Sequence, residues 1–268
     1  MSNIKTALDY VSTPSPEDTE LKISPSAFPN FVERPHYWYQ TQILKENVFE
    51  YNTMSVVGTI VHYCAEMIAK GKEVDEAEIE KYISKHKPKE DFDQEYVRAH
   101  WLEAASVLVN QYVLRQSATI IEAEKQVCAS LGDGYYVAGT LDLLQGTKED
   151  ALLVDYKTYR SKTKPKAIPA NYRYQLLVYA WALRQLGYNV TRIRLCYVNA
   201  YIDGGISEKT NKPLKSYPSE LTVLTETIEE KDFEFIESML MLCKETYQAS
   251  LNYPDLRHVI YHDPRLKA

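Results

Sequence analysis

Two apolar periods alternate along this chain of 268 residues. At about 54–70, Val56, Val57, Ile60, Val61, Cys64 and Ile68 recur every three or four residues, which predicts an amphipathic helix. A short charged helix is expected at 75–86. A longer one, at roughly 94–117, would place Val97, Trp101, Ala105, Leu108, Tyr112 and Leu114 on its buried stripe. From 119 the period shortens to two. Residues 119–128, 135–144 and 151–159 read as a meander of three short strands, with a turn at Gly132-Asp133-Gly134 and another at 145–150. A helix follows at about 171–186, closed by Gly187. Strands at 191–202 and 220–228 and a helix at about 230–250 complete the pattern.

This order predicts an α/β fold, a central mixed β-sheet flanked by helices, with an N-terminal helical region. Residues 1–22 are polar, carry Pro14 and Pro16, and are expected to form a flexible N-terminal tail. Residues 23–268 are expected to form a single domain, helical over about 40–118 and with its α/β core at about 119–250. The segment after residue 23 is aromatic, with Phe28, Phe31, Tyr37, Trp38 and Tyr39, and is broken by Pro25, Pro29 and Pro35. Packing is the expected use of those rings, ahead of base stacking.

Composition narrows the class. With 45% hydrophobic and 25% charged residues the chain reads as an ordinary soluble protein. No stretch has the length of apolar sequence that spans a bilayer, so no membrane partner is expected. The N-terminus lacks a basic stretch followed by an apolar run, so the expected location is cytoplasmic. Cys64, Cys128, Cys196 and Cys243 lie far apart and read as buried free thiols. A net charge of −6 argues against a wholly basic coat for nucleic acid, yet between Tyr156 and Leu195 there are nine Lys or Arg and no acid.

The candidate chemistry comes from spacing. Phosphodiester hydrolysis at neutral pH needs divalent cations on hard oxygen ligands, and a lysine beside them to orient water and offset charge. Asp155 and Lys157 stand two apart on one expected strand, so they leave the same face, and Asp142 lies on the preceding strand. An acid two residues before a lysine is common: Glu20–Lys22 and Glu229–Lys231 also fit. Only Asp155–Lys157 follows an apolar strand and a second acidic strand. Taken alone, His62 on an apolar helix face reads as a satisfied core histidine more often than as a metal ligand.

Four motifs in order change that weighting. Gly58-Thr-Ile-Val-His62, Gly139-Thr-Leu-Asp142, Asp155-Tyr-Lys157 and Gln175-Leu-Leu-Val-Tyr179 resemble the GxxxH, GxxD, DxK and QxxxY motifs of the RecB-like exonuclease branch of the PD-(D/E)XK nucleases. Ser24-Pro-Ser26 and the aromatic segment also resemble the start of these domains. The resemblance implies a restriction-endonuclease-like core and a Mg²⁺- or Mn²⁺-dependent deoxyribonuclease with one or two ions. It implies Asp142, Asp155 and Lys157 as catalytic, and His62, Asp142 and Asp155 as metal ligands. Glu124, Gln175, Tyr179, Arg160, Lys162 and Lys164 follow as accessory or DNA-contacting residues. Cas4-like relatives hold an iron–sulfur cluster on four cysteines; Arg34-Pro35 stands where the first would be, so no cluster is expected. DNA ends or single strands are the expected partner, in recombination, repair or genome processing, and a phage-encoded enzyme would suit that role. A helicase, single-strand-binding or annealing protein is a candidate second partner. A structure-specific endonuclease and a catalytically inactive DNA-binding module of the same fold remain the alternatives.

Overall fold

Local caps set where the helices start. The computed structural model describes residue 8 and residues 20–46, 50–207 and 210–266, so most of the expected N-terminal tail lies outside the described residues. Helices α1 (Phe28–Glu33) and α2 (Pro35–Trp38) each carry a proline in the first turn. Its missing N–H is unpaired there in any helix, so the prolines that break the aromatic segment in sequence instead begin its helices. Phe28, Phe31, Trp38 and Tyr39 are buried, in keeping with packing rather than stacking on a base.

Helix α3 (Thr53–Ala69) starts with a reciprocal box: Asn52 Oδ1 accepts from the Ser55 N–H, and Ser55 Oγ accepts from the Asn52 N–H. Asp75 and Asp93 cap α4 (Glu76–Ser84) and α5 (Gln94–Leu108). The single helix expected to 117 ends as α-helix at Leu108. A π-helical turn (Val109–Val113) and a 3-10 segment (Leu114–Thr119) follow. The wider turn shifts the phase of the buried stripe, so Tyr112 and Val113 are buried while Leu114 is 51% exposed.

The sheet contains β1 (Leu21–Ile23), β2 (Ile120–Gly132), β3 (Tyr135–Gly146), β4 (Ala151–Tyr159), β5 (Val190–Asn199) and β6 (Glu220–Thr227). Its order is β1-β3-β4-β5-β6, with β2 also paired to β3. The β1–β3 and β4–β5 ladders are parallel and the rest antiparallel, so the sheet is mixed as expected. Residues 21 and 22, assigned above to the tail, belong to β1, because Leu21 and Ile23 alternate into the core. Helix α6 (Ala170–Gln185) is the crossover between parallel β4 and β5, and Gly187 follows it with φ +83°. Helices α7 (Glu230–Asn252) and α8 (Arg257–Ile260) complete the chain.

The sheet divides two apolar cores. Leu153, Ile193 and Leu144 pack with α1, α2, α6 and α7 on one face. Leu152, Val154, Tyr156, Cys196 and Val198 pack with α3, α4 and α5 on the other. This is the α/β architecture with helices on both faces that the sequence pattern predicts. Cys64, Cys196 and Cys243 are buried free thiols, and Cys128 is partly exposed. Among the described residues no helix is long and apolar enough to cross a membrane.

Candidate active site

Strand β3 is held along one edge by β2 over nearly its whole length. Along its other edge it pairs with β1 from Tyr135 to Val137 and with β4 from Leu143 to Gly146. The next rung after Leu143↔Val154 would set Asp142 opposite Asp155. Here β3 and β4 part, while β4 stays paired to β5 through Tyr159. The two acids therefore flank a fork in the sheet.

Side chains take up the backbone groups that the fork leaves loose. Asp142 Oδ2 accepts from the Tyr156 N–H at 2.6 Å, and the Tyr179 hydroxyl donates to the Thr140 carbonyl at 2.6 Å. Tyr179 reaches that carbonyl because residue 139 has no side chain. A Cβ on Gly139 would lie 2.7 Å from the Tyr179 hydroxyl and 2.9 Å from Pro25 Cδ. Gly139→Ala is therefore expected to displace Tyr179 and lower stability by about 1–3 kcal/mol, read by chemical denaturation. An unchanged midpoint would show that the neighbours relax freely.

Three residues from three elements converge at the fork. His62, Glu124 and Asp142 each offer one ligand atom, and these atoms lie within 4.8 Å of one another. His62, on α3, places Nδ1 3.3 Å from Asp142 Oδ1 and Nε2 2.9 Å from the Tyr156 carbonyl. Glu124, on β2, sits between the rungs Ala123↔Leu143 and Lys125↔Leu141, opposite Asp142. Its φ is +50°, a left-handed conformation that costs a non-glycine residue ~1–3 kcal/mol and concentrates at functional sites.

Beside this group, Lys157 Nζ lies 2.7 Å from Asp155 Oδ2 and 2.9 Å from Oδ1. Gln175 Nε2 donates to Asp155 Oδ1 at 2.8 Å. Asp155 Oδ2 is buried and, despite its closeness to the ammonium, receives no well-directed hydrogen bond.

Charge in the fork is unevenly balanced. Burial, then the Asp142 carboxylate, pushes the Glu124 carboxyl up to about 8. Burial pushes Asp155 up to about 6 against the pull of Lys157. Burial disfavours the His62 imidazolium, but Asp142 and Glu124 outweigh it and hold His62 at about 9. Asp142 is buried too, yet His62, Lys157 and the Tyr156 N–H hold it below the usual carboxylate range. Burial likewise opposes the Lys157 ammonium, and Asp155 and Asp142 raise it regardless. Carboxylates forced toward their neutral forms, one imidazole and a buried oxygen lacking a donor suit a hard divalent cation.

The linkage gives a test. Glu124 and Asp155 keep protons that the unfolded chain loses near pH 4, and His62 keeps one that it loses near 6.5. The folded state thus binds more protons from there up to about pH 9, so metal-free stability falls as pH rises. In EDTA the melting temperature is expected to drop by several degrees between pH 6 and 9. Mg²⁺ or Mn²⁺ should restore it by mass action. Equal melting temperatures at pH 9 with and without divalent cation would contradict this.

A model of the PD-(D/E)XK nuclease superfamily matches residues 22–250 of the sequence. The chain belongs to this superfamily. Among solved structures it is similar to a candidate exonuclease of Eubacterium rectale at 13% identity and TM-score 0.52, covering 95% of this chain and 88% of that one. It is also similar to LHK-Exo in complex with dAMP, at 11% identity and TM-score 0.38, covering 87% and 91%. LHK-Exo is an alkaline exonuclease of Laribacter hongkongensis. No curated protein matches the sequence.

In this superfamily member the expected residues divide. His62 and Asp142 meet, and Glu124, expected only as accessory, stands with them. Asp155, expected as a ligand, stands beside this group, where Lys157 and Gln175 hold it. Gln175 and Tyr179 brace the fork from α6. Arg160, Lys162 and Lys164 lie past the end of β4, where Lys164 pairs with Glu220 at 2.7 Å. The cation run does not form a bare basic face, because Arg173, Arg184 and Arg192 pair with acids from other segments. Sequence reasoning missed Glu66. It lies one helical turn beyond His62, is buried, pairs with Lys70 at 2.7 Å and adds to the upward push on Glu124. The i, i+4 spacing from His62 was the available signal.

Proposed function

We propose that this chain is a divalent-cation-dependent deoxyribonuclease that removes nucleotides from DNA ends or single strands. The observation that carries the proposal is the fork between β3 and β4. It gathers His62, Glu124 and Asp142 within 4.8 Å and sets the Asp155–Lys157 pair alongside. A cation bound there would lower the pKa of water and neutralise charge on a phosphate oxygen. His62, Glu124, Asp142 and Asp155 would hold it.

The remaining chemistry belongs to the chain. Asp155 and Gln175 hold the position of Lys157, whose ammonium donates to the attacking water and to the phosphate oxygens as their charge grows. Water adds across the P–O3′ bond, leaving a 3′-hydroxyl and a 5′-phosphate. Mg²⁺ and Mn²⁺ are the ions proposed, since both accept oxygen-rich sites. Action at ends is in keeping with the exonuclease description of the Eubacterium rectale protein that shares the fold. A role in recombination, repair or genome processing, beside a helicase, single-strand-binding or annealing protein, follows from that activity.

Linear and covalently closed circular single-stranded DNA of one sequence separate the modes. We expect the linear form to be digested with Mg²⁺ and the circle to survive. Cutting of the circle at a comparable rate would make the chain an endonuclease.

A further inference from the structure

An aromatic shelf runs outward from the fork beyond the end of β4. Arg160, the residue after β4, lies over the Tyr96 ring at 5.0 Å. Tyr96 packs on His100 at 4.6 Å, and His100 stacks on Tyr201 at 4.3 Å with 14° between the planes. The Tyr96 hydroxyl donates to the Tyr201 carbonyl, which ties α5 to the segment after β5. Tyr217, bridged to Ile202, has Lys162 and Lys215 at 6.0 and 5.1 Å from its ring. Three separate pieces of chain thus bring aromatic faces and cations to one place.

Neither full burial nor ion pairing accounts for these groups. The rings are half-buried, while Arg160, Lys162 and Lys215 are exposed. Among the described residues those three cations form no ion pair, unlike Lys164, Arg173, Arg184 and Arg192. The loop that presents Arg160 is fixed at Ser161 by two hydrogen bonds. Asn199, itself buried, accepts from the Ser161 N–H at 3.0 Å and donates to the Ser161 carbonyl at 2.9 Å. Arg160 is three residues of extended strand from Lys157, or about 10 Å. The shelf therefore begins within a few nucleotides of the fork and is tied to β5 at Ser161.

We infer that this shelf binds single-stranded DNA, with bases packing on the Tyr201–His100 stack and on Tyr217 and phosphates meeting Arg160, Lys162 and Lys215. The inference rests on the nuclease proposal and names its substrate as a single strand. Charge complementarity alone would suit any polyanion. Aromatic faces interleaved with cations suit a strand whose bases are unpaired, because a duplex keeps its base faces stacked inside.

The test is fluorescence anisotropy with a labelled oligothymidylate and with a blunt duplex, in calcium to withhold cleavage, on the full chain. Tyr201→Ala and Tyr217→Ala should each weaken single-strand binding by about five- to a hundredfold while duplex affinity barely changes. Tyr201→Phe should bind like wild type, which separates stacking from damage to the fold. Arg160→Ala should lower the salt slope for the single strand by about 0.7. Unchanged single-strand affinity in both alanine variants of a protein that digests DNA would overturn the shelf and leave the nuclease standing. Equal losses on single strand and duplex would reduce the shelf to a phosphate grip and overturn it too. A wild-type protein that neither binds nor digests DNA would remove both proposals.

Discussion

Lys157→Ala is expected to slow cleavage by about a hundred- to a thousandfold while leaving DNA affinity nearly intact. The Lys157 ammonium is held by Asp155 and raised by Asp155 and Asp142 against the cost of burial, so it is charged at neutral pH. Its contact with phosphate strengthens only as charge builds on the oxygens, which makes it a transition-state contact. Removing it also strips Asp155 of its cationic partner. That carboxyl, already pushed up to about 6 by burial, should then take up a proton near neutrality. The fork loses two charges for one substitution. Lys157→Arg keeps the charge but spreads it over a planar group and should recover only part of the rate. Single-turnover digestion with Mg²⁺ and binding in Ca²⁺ read the two effects separately. Loss of binding in proportion to loss of rate would mean that Lys157 serves the ground state.

Asp142→Asn should be at least as damaging, and through a different cause. Asp142 is the hub of the fork: it accepts from the Tyr156 N–H, faces His62 and lies opposite Glu124. Asparagine keeps an oxygen for the Tyr156 N–H, so the sheet should survive. What goes is the negative charge. Without it the His62 imidazole loses the principal group holding it at about 9, and its titration, followed by NMR, should fall toward the ordinary histidine range. Loss of a carboxylate ligand should weaken divalent-cation affinity by at least the ~10–100-fold seen for indirect partners, and cleavage should fall at least a thousandfold. An Asp142→Asn variant that still digests DNA with normal Mg²⁺ dependence would place the cation elsewhere.

Much of this arrangement was legible in the sequence because it depends on strand periodicity. Asp155 and Lys157 share a face for the same reason that any residues i and i+2 do, and Gln175 and Tyr179 share one because they are a helical turn apart. The alternation of Leu152, Leu153 and Val154 between the two cores follows the same rule. The illegible parts are those where the backbone leaves its regular period. The left-handed φ of Glu124 moves a carboxylate toward Asp142 with no sequence mark, and the parting of β3 from β4 after the Leu143–Val154 rung leaves none either. The π turn after Leu108 exposes Leu114 for a like reason. Part of the basic run from Tyr156 to Leu195 is neutralised, which the run itself could not show, because partners such as Glu220, Glu226 and Glu230 lie far along the chain.

The most direct measurement is release of nucleotide from linear DNA as chelator-treated protein is titrated with Mg²⁺ and, separately, Mn²⁺. No release is expected before the ion is added, and a saturable rise afterward that Asp142→Asn abolishes. Digestion that continues undiminished in excess EDTA, or none at any concentration of either ion, would contradict a cation-bearing fork as the seat of the chemistry.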